Sequence, residues 1–141
     1  MFTATRARPA AKMEFKLSDT RTAVSDDEPM GLILGQTPGS REEWRVYLAL
    51  VRYKLQFAYQ VPVRGGRQRR GGQVVDFVVY NPFAVAVPVN GEYWHRGQMA
   101  PEERLKLAVL EVIFGRAPVV LWAAELQTQA MTNAVVRREL L

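Results

Sequence analysis

Hydrophobic and polar positions alternate between two periods along this chain, and the changes of period divide it into elements. Over 40–56, Trp44, Leu48, Val51 and Leu55 recur at spacings of four, three and four, the buried stripe of an amphipathic helix. Ser40, followed three residues later by Glu43, is a capping-box pair that opens it. Residues 57–63 predict a strand with Gln60 inside it. Residues 73–80 and 83–89 predict two more, β-branched and aromatic, parted by the turn dipeptide Asn81-Pro82. That turn is too short for a parallel crossover, so the two strands pair antiparallel. Pro101-Glu102-Glu103 starts a second helix, with Pro at its first position and acids in its first turn. Its apolar face is Leu105, Ala108, Val109 and Val112, and Gly115 stops it. Residues 118–122 form a short apolar strand, the last of the sheet. A closing helix over about 128–141 is apolar at Met131, Ala134 and Val135. The order helix, strand, strand, strand, helix, strand, helix predicts an α/β fold, a mixed sheet flanked by helices.

Residues 1–39 lack a sustained period and carry breakers at Pro9, Pro29 and Thr37-Pro38-Gly39. They predict an N-terminal arm or tail ahead of one domain, 40–141. The arm is a candidate for self-association or for a protein partner, through Met30 to Leu34. Hydrophobic content of 48% in 141 residues is ordinary for a single globular core. The net charge of +5 favours a polyanionic partner, DNA above all, although many basic proteins bind nothing anionic. The chain has no Cys, which excludes disulfides, thiolate metal sites and Cys nucleophiles and fits an intracellular, cytoplasmic protein. No apolar run reaches the ~18 residues needed to span a bilayer, and no apolar signal region opens the chain, so neither membrane insertion nor secretion is expected.

Candidate chemistry gathers around the central strands. Asp76 is the one charge in an otherwise apolar strand, and burial of an ionised carboxylate is costly unless a metal or a donor compensates it. The loop 64–72 holds Arg64, Arg67, Arg69 and Arg70 among four Gly. It reads either as a flexible phosphate grip or as a solvated hairpin tip. His95, the only His, follows Tyr93-Trp94 and precedes Arg96. Judged alone it is a hydrogen-bonded packing residue; at neutral pH it is also suited to proton transfer. Glu43 is likewise a helix cap or a site acid. Nucleotide-binding loops, dinucleotide fingerprints, His-Glu-x-x-His and the Gly-x-Ser-x-Gly elbow are all missing.

The order of Glu43 on a first helix, Gln60, Asp76-Phe77 and then Gly91-Glu92-Tyr93-Trp94-His95 resembles the PD-(D/E)XK nuclease superfamily. Within it, the chain looks most like the very-short-patch mismatch-repair endonucleases and their small relatives. The resemblance spans about 40–140 and implies a restriction-endonuclease-like core and hydrolysis of DNA phosphodiester bonds with Mg²⁺ or Mn²⁺. It implies Asp76 and the Val89 carbonyl as metal ligands and Glu43, Asp76 and His95 as catalytic residues; Arg64, Arg67, Arg69, Arg70 and Arg96 are the candidate DNA contacts by their charge. The chain departs from the pattern where Pro88-Val89-Asn90 replaces the usual acid and Lys. That departure supports an alternative: a catalytically inactive nuclease fold acting as a nucleic-acid-binding or assembly subunit.

Overall fold

The fold is that of residues 28–90 and 99–141 in a computed structural model. Helix α1, Arg41–Arg52, begins where the capping box requires: the Ser40 hydroxyl accepts the Glu43 N–H at 3.1 Å. It ends four residues before the predicted boundary. Lys54 turns left-handed at φ 58°, Lys54 N–H bonds the Val51 carbonyl, and Leu55 N–H bonds the Leu50 carbonyl, each at 3.0 Å. This is a Schellman stop built without glycine. The helix also buries more than the predicted stripe. Glu43, Trp44, Arg45, Val46, Tyr47, Ala49 and Leu50 are all buried, while Leu48 and Val51 pack only partly.

Strand β1, Gln56–Val63, pairs antiparallel with β2, Gln73–Tyr80, and β2 pairs antiparallel with β3, Ala84–Val87. The antiparallel pairing predicted across Asn81-Pro82 is therefore present, but its second strand is shorter. Phe83 stands 71% exposed at the turn, and Pro88, which has no N–H to give a ladder, breaks the strand before β4, Val89–Asn90. The predicted 118–122 strand contracts to β5, Leu121–Trp122, which runs parallel to β4. Hydrogen bonds from Val119 N–H to Ala86 and from Leu121 N–H to Pro88, both 2.9 Å, carry the pairing along the β3 edge. Helices and strands are mixed as expected, but the expected single mixed sheet is divided into an antiparallel β1–β2–β3 sheet and a separate parallel β4–β5 pair, because Pro88 interrupts the strand that would have joined them.

Two apolar clusters occupy opposite faces of the β1–β2–β3 sheet. Helix α1 and the closing helix α3, Gln129–Leu140, cover one face through Trp44, Tyr47, Leu50, Val135, Val136 and Leu140, joined by Ile33 from the segment before α1. Helix α2, Pro101–Phe114, covers the other through Leu107, Leu110 and Phe114. Both helices turn most of the expected apolar positions outward, although Val135 is buried as expected. Leu105, Ala108 and Val112 of α2 point to solvent, as do Met131 and Ala134 of α3, whose inward side is Thr132, Val135, Val136 and Leu140. Helix α2 is apolar on two sides, and periodicity alone does not say which one meets the sheet.

Candidate functional site

Asp76 lies in the middle of β2, across from Gln60 on β1, at the place where the ladder is irregular. The register pairs on either side, Tyr59 with Phe77 and Val61 with Val75, are both made, but Gln60 takes φ 55°, a left-handed conformation that costs a non-glycine residue energy. The irregularity changes which way each strand faces. Phe57 and Tyr59 join the cluster under α1, whereas Val61 and Val63 join the cluster under α2. Strand β2 makes the same exchange, with Phe77 and Val79 on the α1 side and Val75 on the other. Because both strands shift at one rung, register survives, while Gln60 and Asp76 bring polar side chains toward α1 beside Tyr59 and Phe77.

Glu43 meets them from the first turn of α1. Its side chain does not complete the capping box. Instead Oε1 accepts a short hydrogen bond from the Tyr59 hydroxyl and a long one, 3.4 Å, from Gln60 Nε2. The same Gln60 nitrogen lies 3.5 Å from Asp76 Oδ1, so one amide spans two carboxylates. Asp76 Oδ2 accepts the Val89 backbone N–H at 2.7 Å, the donor that makes a half-buried carboxylate tolerable. Gly39 lies against Glu43 so closely that a Cβ there would come within 2.9 Å of Oε2, and its N–H donates to the Tyr59 oxygen at 3.0 Å. From the loop, Arg67 Nη2 reaches to 3.5 Å of Gln60 Oε1.

Electrostatics follow from this layout. Burial pushes the Asp76 carboxyl up to about 6 against the Val89 hydrogen bond; Glu43 raises it further, and Arg67 and Gln60 oppose. Tyr59 is pushed up to about 12, by burial first and then by its bond to Glu43. The phenol therefore keeps its proton throughout the neutral range and serves as a fixed donor. Glu43 itself is only 9% exposed.

Of the expected site residues, Glu43, Asp76 and Val89 converge, with Gln60 between the two acids. Arg64, Arg67, Arg69 and Arg70 are exposed along the β1–β2 connection, with Arg67 turned to the site. That connection is folded rather than slack. Gly66–Gln68 forms a 3₁₀ turn, and Gly72 packs so tightly that a Cβ there would strike the Gly66 carbonyl oxygen at 2.1 Å. His95 and Arg96 lie outside the described residues. Tyr59 and Gly39 were not singled out from the sequence: in a strand of alternating apolar residues a Tyr reads as core, and a Gly before a cap reads as a turn. Among the described residues no three His, Cys, Asp or Glu side chains group together as a metal cage, so Glu43 and Asp76 are the acids that this place offers. No protein-family model, curated protein or solved structure matches the chain.

Proposed function

We propose that the chain is a metal-dependent DNA endonuclease with a restriction-endonuclease-like core and that Glu43, Gln60 and Asp76 form its hydrolytic site. The supporting observation is the single amide of Gln60 within 3.4 Å of one carboxylate and 3.5 Å of the other, on a rung where both strands change face. Two acids brought together in a partly buried place repel one another. A bound cation would use their combined charge and offset that cost.

The donor set fits a hard divalent cation. Mg²⁺ or Mn²⁺ binds through one or two carboxylates and keeps several waters, so Asp76 and Glu43 suffice without a third acid. The resemblance adds the Val89 carbonyl, whose own N–H already grips Asp76. When bound, such an ion polarises the phosphate and makes its water more acidic. The protein's part is positioning. Gln60 aligns the two carboxylates, Val89 N–H fixes Asp76, and the protonated Tyr59 hydroxyl fixes Glu43. His95 is assigned proton transfer by the resemblance, and Arg96 beside it is a candidate phosphate contact by its charge. Arg64, Arg67, Arg69 and Arg70 project from the same connection and would neutralise DNA phosphates.

A second reading, the inactive nuclease fold serving as a DNA-binding or assembly subunit, draws on the burial of Glu43, which Tyr59 and the Gly39 backbone enclose. Plasmid nicking with and without Mg²⁺ or Mn²⁺ separates the two. Metal-dependent nicking that Asp76→Asn abolishes, with DNA binding kept, supports the enzyme. Binding without cleavage of duplex, mismatched, branched or single-stranded DNA supports the subunit. Replacing all four loop arginines with Ala should flatten the salt dependence of binding by about 0.9 per lost phosphate contact; an unchanged slope would remove DNA from that loop.

A further inference from the structure

Helix α2 spends one side on the sheet, and among the described residues nothing covers another apolar side. Leu105 is 66% exposed, Val112 74% and Ile113 40%, with Ala108 exposed between the first two. Leu105, Ala108 and Val112 follow one another at spacings of three and four, the pattern of a helix–helix seam with a small residue at its centre. The residues just before the two ends of that stripe are Arg104 and Glu111, both exposed and of opposite sign. They flank the stripe on the same side. Being seven residues and so about 10 Å apart along the axis, they are too distant to pair with each other.

We propose that this face docks a second copy of the chain, the two α2 helices packing antiparallel about a twofold axis near Ala108 and Val109. In that arrangement Leu105 of one copy meets Val112 of the other, Ala108 allows the backbones to approach, and Arg104 of each copy faces Glu111 of its mate. Residues on one flank of the stripe meet each other across the twofold axis only when the helices run antiparallel, since in a parallel pair Arg104 would face the opposite flank of its mate, near Val109. The opposed helix dipoles favour the same orientation, and a twofold contact makes each favourable pair twice. The stripe is short, so the interface belongs to the small class, below about 1,200 Å² in total, and the dimer forms in proportion to concentration. This proposal is independent of the nuclease reading.

Sedimentation velocity of the full chain over a concentration series tests it. The expected result is a monomer–dimer equilibrium that Val112→Asp abolishes, while at concentrations where the parent is monomeric the variant keeps the parent's melting temperature, because the side chain is exposed. Arg104→Glu and Glu111→Arg should each weaken the dimer by about tenfold, each change acting at two symmetric contacts. The double variant Arg104→Glu with Glu111→Arg should restore it. A chain that remains monomeric at every concentration overturns the proposal. So does a dimer indifferent to Val112→Asp, or one that the double charge exchange fails to restore.

Discussion

The two faces of the β1–β2–β3 sheet are equally shielded but differently built. Under α2, the sheet presents Ala58, Val61, Val63, Val75, Val78 and Ala86 to Leu110, a buried contact that is aliphatic, with Tyr80 and Phe114 only at its margin. Under α1, the aromatic packing of Tyr47, Phe57, Tyr59 and Phe77 runs up against Glu43, Gln60 and Asp76. The first face shows what stability alone selects in this chain. On the second face the chain accepts a left-handed Gln60, a carboxyl pushed up to about 6 and a buried Glu43, none of which a hydrophobic core needs. Such departures from packing rules around Gln60 and Asp76 are the feature on which the proposed hydrolytic site rests.

The comparison breaks most visibly if the aliphatic face tolerates a charge. Val78 is fully buried in the α2-side cluster, with no donor comparable to the Val89 N–H that Asp76 enjoys. Val78→Asp should cost at least about 4 kcal/mol, enough to leave much of the chain unfolded at 25 °C. Urea unfolding followed by circular dichroism reads it. A folded Val78→Asp protein with near-normal stability would mean that the sheet accommodates carboxylates anywhere and that Asp76 is unexceptional.

The polar face should respond in the opposite direction. The Asp76 carboxyl titrates near 6 in the folded protein against an ordinary 3.8, so the folded state holds this proton more tightly than the unfolded chain does. Its stabilising contribution is complete below 3.8 and is lost as pH rises through about 6. Asp76→Asn should therefore be more stable than the parent above pH 6, by up to about 3 kcal/mol, with the difference closing below pH 4. Urea midpoints at pH 7.5 and pH 4 decide the matter. Equal stabilities at pH 7.5 would show that Val89 and Gln60 already offset the buried charge in full.

Tyr59→Phe tests how Glu43 is held. The variant removes the hydroxyl that donates to Glu43 and accepts from Gly39, leaving a buried acid short of a donor at a cost of about 2 kcal/mol. Adding Glu43→Leu to it should recover most of that loss, since removing both partners is nearly neutral. If the double variant is no more stable than Tyr59→Phe, the tyrosine acts through packing and not through the acid.

Most of the fold was legible because its signals are local. The capping box placed the start of α1, Asn81-Pro82 placed the turn between β2 and β3, and Pro101 and Gly115 bounded α2 to the residue. What escaped depended on tertiary partners. The Schellman stop at Lys54 carries no glycine to announce it, and the inward side of α2 is set by the sheet it meets. Asp76 stood out as a lone charge among β-branched residues. Tyr59 did not, because its role follows from a change of strand direction at Gln60 that no side-chain pattern encodes.

The smallest effect isolates what Gln60 contributes beyond its shape. Lys54 and Gln60 share nearly the same left-handed conformation, φ 58° and 55°, and a glycine adopts that conformation without the strain a side chain brings. At Lys54, which ends α1 with no side-chain hydrogen bond among the described residues, Lys54→Gly should stabilise by up to about 1 kcal/mol. Gln60→Gly relieves the same strain but withdraws the amide from between Glu43 and Asp76 and frees their repulsion, so its net gain should be near zero or negative at pH 7.5. Below pH 4, where Asp76 is protonated, the repulsion vanishes and the two glycine variants should converge. Denaturant midpoints of both at the two pH values make the comparison. A Gln60→Gly protein as stabilised as Lys54→Gly at pH 7.5 would mean that the amide contributes nothing to holding the two acids together.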